Sequence, residues 1–143
     1  MFNAMVNSRT TRDRHLRTAC RAAAERLRWS ENRSANSITQ SRRALRQIVS
    51  VVAHMTAPQF YVDQIYAYNV MSAYFHGHPL PGRGIAAQKW KEIAAHVTRR
   101  RRRHPDETLI DSVACVLADT PASNFFLSEN AIRRFILKSD NVL

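Results

Sequence analysis

Glycine is scarce in this 143-residue chain, with 3 residues, and proline contributes only 5. So few turn-formers exclude a loop-rich or all-β chain that must reverse direction often. The two cysteines, Cys20 and Cys115, cannot build a disulfide framework and point to a reducing compartment. Acidic residues number 11 against 22 basic ones. No apolar run approaches the ~20 residues of a membrane span, and the start of the chain lacks the apolar stretch of a secretory signal. Catalytic motifs are missing too. Gly77, Gly82 and Gly84 are the only glycines, and no Lys-Ser/Thr pair follows them, so there is no phosphate-cradling loop. Neither a nucleophile elbow nor an HExxH is present. The expectation is a protein that is not an enzyme and carries no cofactor.

What the chain does have is apolar material and arginine. At 45% hydrophobic residues it can bury a core the size of one domain. Its formal net charge of +11 is segregated. Residues 1–46 carry an excess of eight positive charges and residues 83–104 an excess of seven. The segment between them is nearly neutral and holds all four tyrosines, and residues 105–143 are mildly acidic. Segregated positive charge suggests a basic face and a polyanionic partner. Arginine dominates the basic residues, and its planar fork suits phosphate better than lysine does, although a GC-rich genome would produce the same bias.

Helical periodicity runs through most of the chain. Residues 1–12 are polar and unpatterned, so they read as a flexible arm ahead of a single helical domain, 13–143. The Arg-rich start also fits an organelle transit peptide, but the pattern from His15 to Trp29 favours a structural helix. There Leu16, Cys20, Ala23, Ala24 and Leu27 share one stripe, and Arg14, Arg17, Arg21 and Arg28 share another. A second helix, capped by Ser41, runs to about Met55, with Arg42, Arg43 and Arg46 in its first turns. The dipole disfavours cations there, which hints that an anion visits. A third helix, 64–76, is apolar nearly all round, as in a bundle centre or a homo-oligomer contact. Its tyrosines suit packing better than base stacking. A fourth runs from Ile85 to Arg99, turning Lys89, Lys91, Glu92 and His96 outward, and ends in the run Arg99, Arg100, Arg101, Arg102 and Arg103. A fifth opens at Pro105 or Asp106 and buries Leu109, Ile110, Val113, Val116 and Leu117. A sixth follows Ser128, with Arg133 and Arg134 outward. The predicted fold is all-α, a compact bundle of five to six helices.

Two stretches look alike. Leu45, Val49 and Val52 answer Leu109, Val113 and Val116; after one inserted residue, Phe60, Tyr61 and Val62 answer Phe125, Phe126 and Leu127. Asp63 answers Ser128 as a helix cap, and Val70 and Met71 answer Phe135 and Ile136. The unit is helix, Pro-containing break, aromatic–aromatic–aliphatic staple, cap, helix, and it implies two pseudo-repeated units. PASNFFLS, residues 121–128, resembles a Pro-Ala-x-x-Phe-aromatic-aliphatic-Ser/Thr motif of small uncharacterised bacterial and phage helical proteins. APQFYVD, residues 57–63, departs from it by one residue and by its Asp cap. The resemblance covers these two motifs, implies a bacterial or phage origin, and carries over no activity or site residue.

His76-Gly77-His78, with Cys20, Cys115 and His104 elsewhere, lacks the paired short spacings of a zinc site, so no metal is expected. Two functions fit the chain. The first is sequence-tolerant binding of DNA or RNA through the fourteen arginines named above, in the cytoplasm of a bacterium or of a phage-infected host. The last helix could then be the reader of a helix-turn-helix, although the break before it is longer than that motif's turn. The second is a protein-interaction or assembly accessory of a phage or mobile element, built on helix 64–76 and on acidic-tail contacts with the basic blocks of another copy. Neither function involves a membrane.

Overall fold

A computed structural model describes the backbone of residues 4–30 and 38–138, and the side chains of residues 8–27 and 42–138. The described residues form six helices: α1 Ala4–Ser30, α2 Ile38–Ala53, α3 Gln64–Phe75, α4 Ile85–Arg103, α5 Leu109–Asp119 and α6 Glu129–Lys138. The fold is all-α, with no strand among the described residues. None of these helices is long and apolar enough to cross a membrane.

Boundaries differ from the sequence expectation where the apolar pattern is weak. α1 starts at Ala4, so most of the expected arm is helix. Nothing in 4–12 breaks a helix, and the stripe that is apolar further along carries Ser8, Arg9 and Arg12 here, which hid its period. α2 starts at Ile38, which places Ser41 inside the helix rather than at its cap. α5 is capped by Thr108, whose Oγ1 accepts from the Asp111 N–H at 3.2 Å. Pro105 and Asp106 sit in the preceding turn, closed by Glu107 N–H donating to the His104 carbonyl. The Asp63 and Ser128 caps stand as predicted: Asp63 accepts from Tyr66 N–H at 2.9 Å and Ser128 from Ala131 N–H at 3.1 Å.

The helix contacts follow the repeat and extend it. α1 packs on α2 and α4 on α5, while α2 packs on α6 and α3 on α5. Exchanging the first three helices for the last three turns this list into itself, as a two-fold axis would. The buried Leu16, Ala19, Cys20 and Ala23 of α1 have the same spacing as the buried Trp90, Ile93, Ala94 and Val97 of α4. The seam lies at the two breaks. Ala57 and Ala122 exchange N–H···O bonds in both directions, each at 3.0 Å. Beside them Phe60 stacks on Phe126 and Tyr61 on Phe125, with centroids 6.1 and 5.9 Å apart. One two-fold operation converts each of those ring pairs into the other. Phe126 reaches its partner from a left-handed backbone, φ 53°, held by its N–H donating to Asn124 Oδ1 at 2.6 Å.

Inward-facing polar groups fix the breaks. Glu92, expected outward, accepts from Ser123 N–H at 2.8 Å and from Ser123 Oγ at 2.6 Å. His96, also expected outward, is half-buried with its ring edge-on to Phe60. Tyr61 Oη lies 2.6 Å from His15 Nδ1, tying α1 to the first break. Burial, and then Arg14, lower the His15 pKa from the ordinary imidazole value, which favours the neutral ring and lets Nδ1 accept a hydrogen bond from the Tyr61 hydroxyl. Burial pushes the Tyr61 phenol up to about 12, which suits its role as donor. Ile110, placed in the core by its period, is instead 47% exposed.

Candidate nucleic-acid interface

The arginines expected to bind phosphate fall into three groups. On α1, Arg14, Arg17 and Arg21 are exposed on a stripe turned away from the buried Leu16, Ala19 and Ala23. Arg28 lies outside the described side chains. On α2, Arg42, Arg43 and Arg46 are exposed, as are Arg133 and Arg134 on α6. Because α6 packs on α2, Arg46 and Arg133 come to line one cleft of about 340 Å³ with Ser50, Asn130 and Glu129. Sequence separation hid this pairing, which depends on the crossed contact between the two halves. The same contact pattern places α6 on α2 rather than on the preceding helix, so α5 and α6 do not form a helix-turn-helix.

The run at 99–103 does not act as a unit. All five residues belong to α4, and successive side chains turn by 100°. Arg100 is spoken for: Nε donates to Glu107 Oε1 at 2.7 Å and Nη2 to Oε2 at 2.9 Å. The buried Ser112 hydroxyl donates to the same Oε1 at 2.7 Å. These hydrogen bonds hold the Glu107 carboxyl down at about 2. Arg100 is thus a structural arginine that fastens α4 to the start of α5. Arg101 lies over the Phe75 ring, 4.8 Å from its centroid, in cation–π contact. Arg99 donates to His96 Nδ1 at 2.8 Å. Its guanidinium, after burial, helps hold His96 below its ordinary pKa.

Two further clefts flank this run. One, about 160 Å³, is lined by Arg99, Arg100, Arg103, His104 and Asp119. The other, about 420 Å³, combines Lys91, Arg99 and Arg102 with the exposed Tyr74. Two acids of the tail therefore meet basic residues of their own chain. Glu107 pairs with Arg100, and Asp119 stands close enough to help keep Arg100 protonated.

Sequence reasoning missed a fourth basic group. Arg9 and Arg12 at the start of α1 and Lys89 on α4 line a cleft with Tyr61, Tyr66 and Trp90. Taking residues 1–12 as an arm hid the first two, and a helical wheel turned Lys89 outward. The signal available was a cation on the inward stripe of α1.

His76, the first His of the HxH, is tied to its own helix, its Nδ1 lying 2.6 Å from the Ser72 carbonyl. Among the described residues no three His, Cys, Asp or Glu side chains gather as metal ligands would. Burial pushes the Cys20 thiol up to about 11. Set against family models, curated proteins and solved structures, the chain matches none. The functional reading rests on these side chains alone.

Proposed function

We propose that the protein is a non-catalytic, sequence-tolerant nucleic-acid binder, working in the cytoplasm of a bacterium or a phage-infected host. Its phosphate contacts come from Arg14, Arg17 and Arg21 on α1, Arg42, Arg43 and Arg46 on α2, and Arg133 and Arg134 on α6, with Arg99, Arg102 and Arg103 as a second patch. The observation that carries this reading is the convergence of Arg46 and Arg133, from opposite halves of the chain, on one cleft beside Ser50 and Asn130. Arg12 pairs with Asp13 and Arg100 with Glu107, whereas Arg14, Arg17, Arg42, Arg43, Arg46, Arg133 and Arg134 are exposed to solvent, which supports a polyanionic partner. Arg forks grip phosphate oxygens in pairs, and hydroxyl and amide groups add neutral contacts to the same backbone.

The test is fluorescence anisotropy with labelled duplex DNA, duplex RNA and single strands across a salt series. Each phosphate neutralised on duplex DNA adds ~0.9 to the slope of log affinity against log salt. Arg46→Ala/Arg133→Ala should flatten that slope by about 1.8 on the same basis. Arg99→Ala/Arg102→Ala/Arg103→Ala probes the second patch while leaving Arg100 on Glu107. An absence of binding to every probe at low salt rejects the proposal.

One observation favours assembly with another protein as a second reading. The repeat places Ile110 where Arg46 stands and Ile65 where Asn130 stands. These two isoleucines are 47% and 69% exposed. Two exposed isoleucines thus stand at the positions that answer Arg46 and Asn130 of the charged cleft. Sedimentation of Ile65→Ser/Ile110→Ser against the parent chain decides this reading, which requires the parent to self-associate or bind a partner and the variant to lose it.

A further inference from the structure

The cleft between α1, α3 and α4 is built differently from the arginine surfaces. Its volume is about 380 Å³, within the ~300–1,000 Å³ of small-molecule sites. Its inner wall is Trp90, which is 4% exposed and packed into the core. Tyr66 stands edge-on to that indole, centroids 5.7 Å apart and planes at 70°, and is itself 52% exposed. A tyrosine fixed along one edge by a core tryptophan offers an open face at low entropic cost.

The cations are placed at an energetic disadvantage. Lys89 is half-buried, with Nζ 5.5 Å from the Trp90 centroid. Among the described residues no carboxylate lies within ion-pair distance of it. Burial, and then the Arg12 guanidinium, lower its pKa from the ordinary lysine value. Asp63, the acid lining the cleft, is turned to the start of α3, where it accepts the Tyr66 N–H. Asp13 accepts from Arg12 Nη2 at 3.2 Å, at one side of that fork. Arg9 lies one turn before Arg12 on the same wall. Three cations, two of them repelling each other and one largely desolvated, line a cleft beside an open aromatic face. An anion joined to a planar ring relieves the repulsion and covers the face together.

We infer that this cleft takes one nucleoside phosphate unit, its base against Tyr66 and its phosphate among Lys89, Arg12 and Arg9. The inference deepens the proposed nucleic-acid reading and rests on it: the arginine surfaces hold the backbone, and this cleft takes an unpaired nucleotide. A free nucleotide and an unpaired strand present the same recognised chemistry, and the arms of the experiment separate them.

The experiment uses the full chain carrying Trp29→Phe, which leaves Trp90 as the only tryptophan. Trp90 emission is followed during titration with AMP, UMP, inorganic phosphate, adenosine and a short single-stranded oligonucleotide. The expected result is a saturable change with the oligonucleotide. If AMP and UMP also saturate and compete, the free nucleotide is a sufficient ligand; if they do not, the site takes its nucleotide only from a strand. Inorganic phosphate and adenosine should each bind weaker by roughly tenfold or more, since each supplies half of the recognition. Tyr66→Ala and Lys89→Met should each weaken binding by roughly tenfold, with Lys89→Arg restoring it. Circular dichroism and urea midpoints identify any variant that has lost its fold, and Lys89→Arg is then compared with Tyr66→Phe and the parent instead. No saturable change with nucleotide or oligonucleotide overturns the inference. So does inorganic phosphate binding as well as AMP where AMP binds, or as well as the oligonucleotide where it does not. Retained slope loss in Arg46→Ala/Arg133→Ala alongside a silent Trp90 overturns the cleft alone; no binding to any probe overturns both readings.

Discussion

Replacing Phe60 by alanine tests the seam between the two halves. Its ring is 2% exposed and touches two other segments, stacking on Phe126 and meeting the edge of His96. Nearly all of its surface is withdrawn from water, and the seam cannot close over the void without breaking the Ala57–Ala122 exchange. The expected loss is about 3–5 kcal/mol, the range for a buried phenylalanine that leaves a cavity. Total stability for a domain of this kind is about 5–15 kcal/mol, so the variant stays folded but loses a large share of it. With a urea m-value of about 2 kcal/mol/M, the midpoint falls by about 2 M. Equilibrium urea unfolding followed by far-UV circular dichroism reads this directly. A midpoint shift under about 0.5 M at unchanged m would refute the seam as an organising contact. The equivalent change, Phe125→Ala, should cost a comparable amount. Phe60→Ala and Phe126→Ala should be non-additive by about 0.5–1.5 kcal/mol, because the two rings stack.

Three further outcomes follow from the geometry. His15 and His96 are held below the ordinary imidazole value in the folded chain, so the unfolded chain binds more protons as the pH falls below about 6.5. Stability should therefore drop from about pH 6.5 downward. Glu107, held at about 2, adds a further loss as the pH passes below the ordinary carboxyl range. Equal urea midpoints at pH 8 and pH 5 would contradict this. Gly82→Ala should destabilise by about 1–3 kcal/mol, read as a lowered melting temperature, because the position needs positive φ. Its φ is +88°, and a Cβ would stand 2.8 Å from the Ala86 Cβ. Cys20, fully buried with its thiol pushed up to about 11, should resist iodoacetamide at pH 8 in the native chain and react on unfolding, followed by mass spectrometry.

Periodicity made much of the architecture legible. The stripes Leu16–Cys20–Ala23 and Val113–Val116–Leu117 are core, and the caps Asp63 and Ser128 fall where an apolar staple precedes a small polar residue. The repeat between 45–71 and 109–136 was visible as letters; its meaning, that each break pairs with the other, was not. Contacts between α2 and α6 or α3 and α5 join segments with no local signal between them. For the same reason the pairing of Arg46 with Arg133 escaped a reading by charge blocks. Arg100 looked like one of five equal arginines, because its carboxylate partner stands beyond the helix end and across a turn. Arg9 and Arg12 were obscured by reading residues 1–12 as an arm, and the half-buried Lys89 by a rule that is sound elsewhere, that cations on a helix face water.

The crossed packing has a consequence for what the covalent chain contributes. α3 lies on α5 and α6 on α2, so each half supplies the surface on which the other half's last helix rests. With the seam exchanging identical backbone bonds, one chain here makes the kind of contact that two subunits make in an isologous dimer. The loop between Phe75 and Ile85 then acts as a tether, raising the effective concentration of one half near the other to the ~mM scale of a short linker. Fragments cut within that loop should find each other without it, with an association rate and a bound fraction that rise with their concentration.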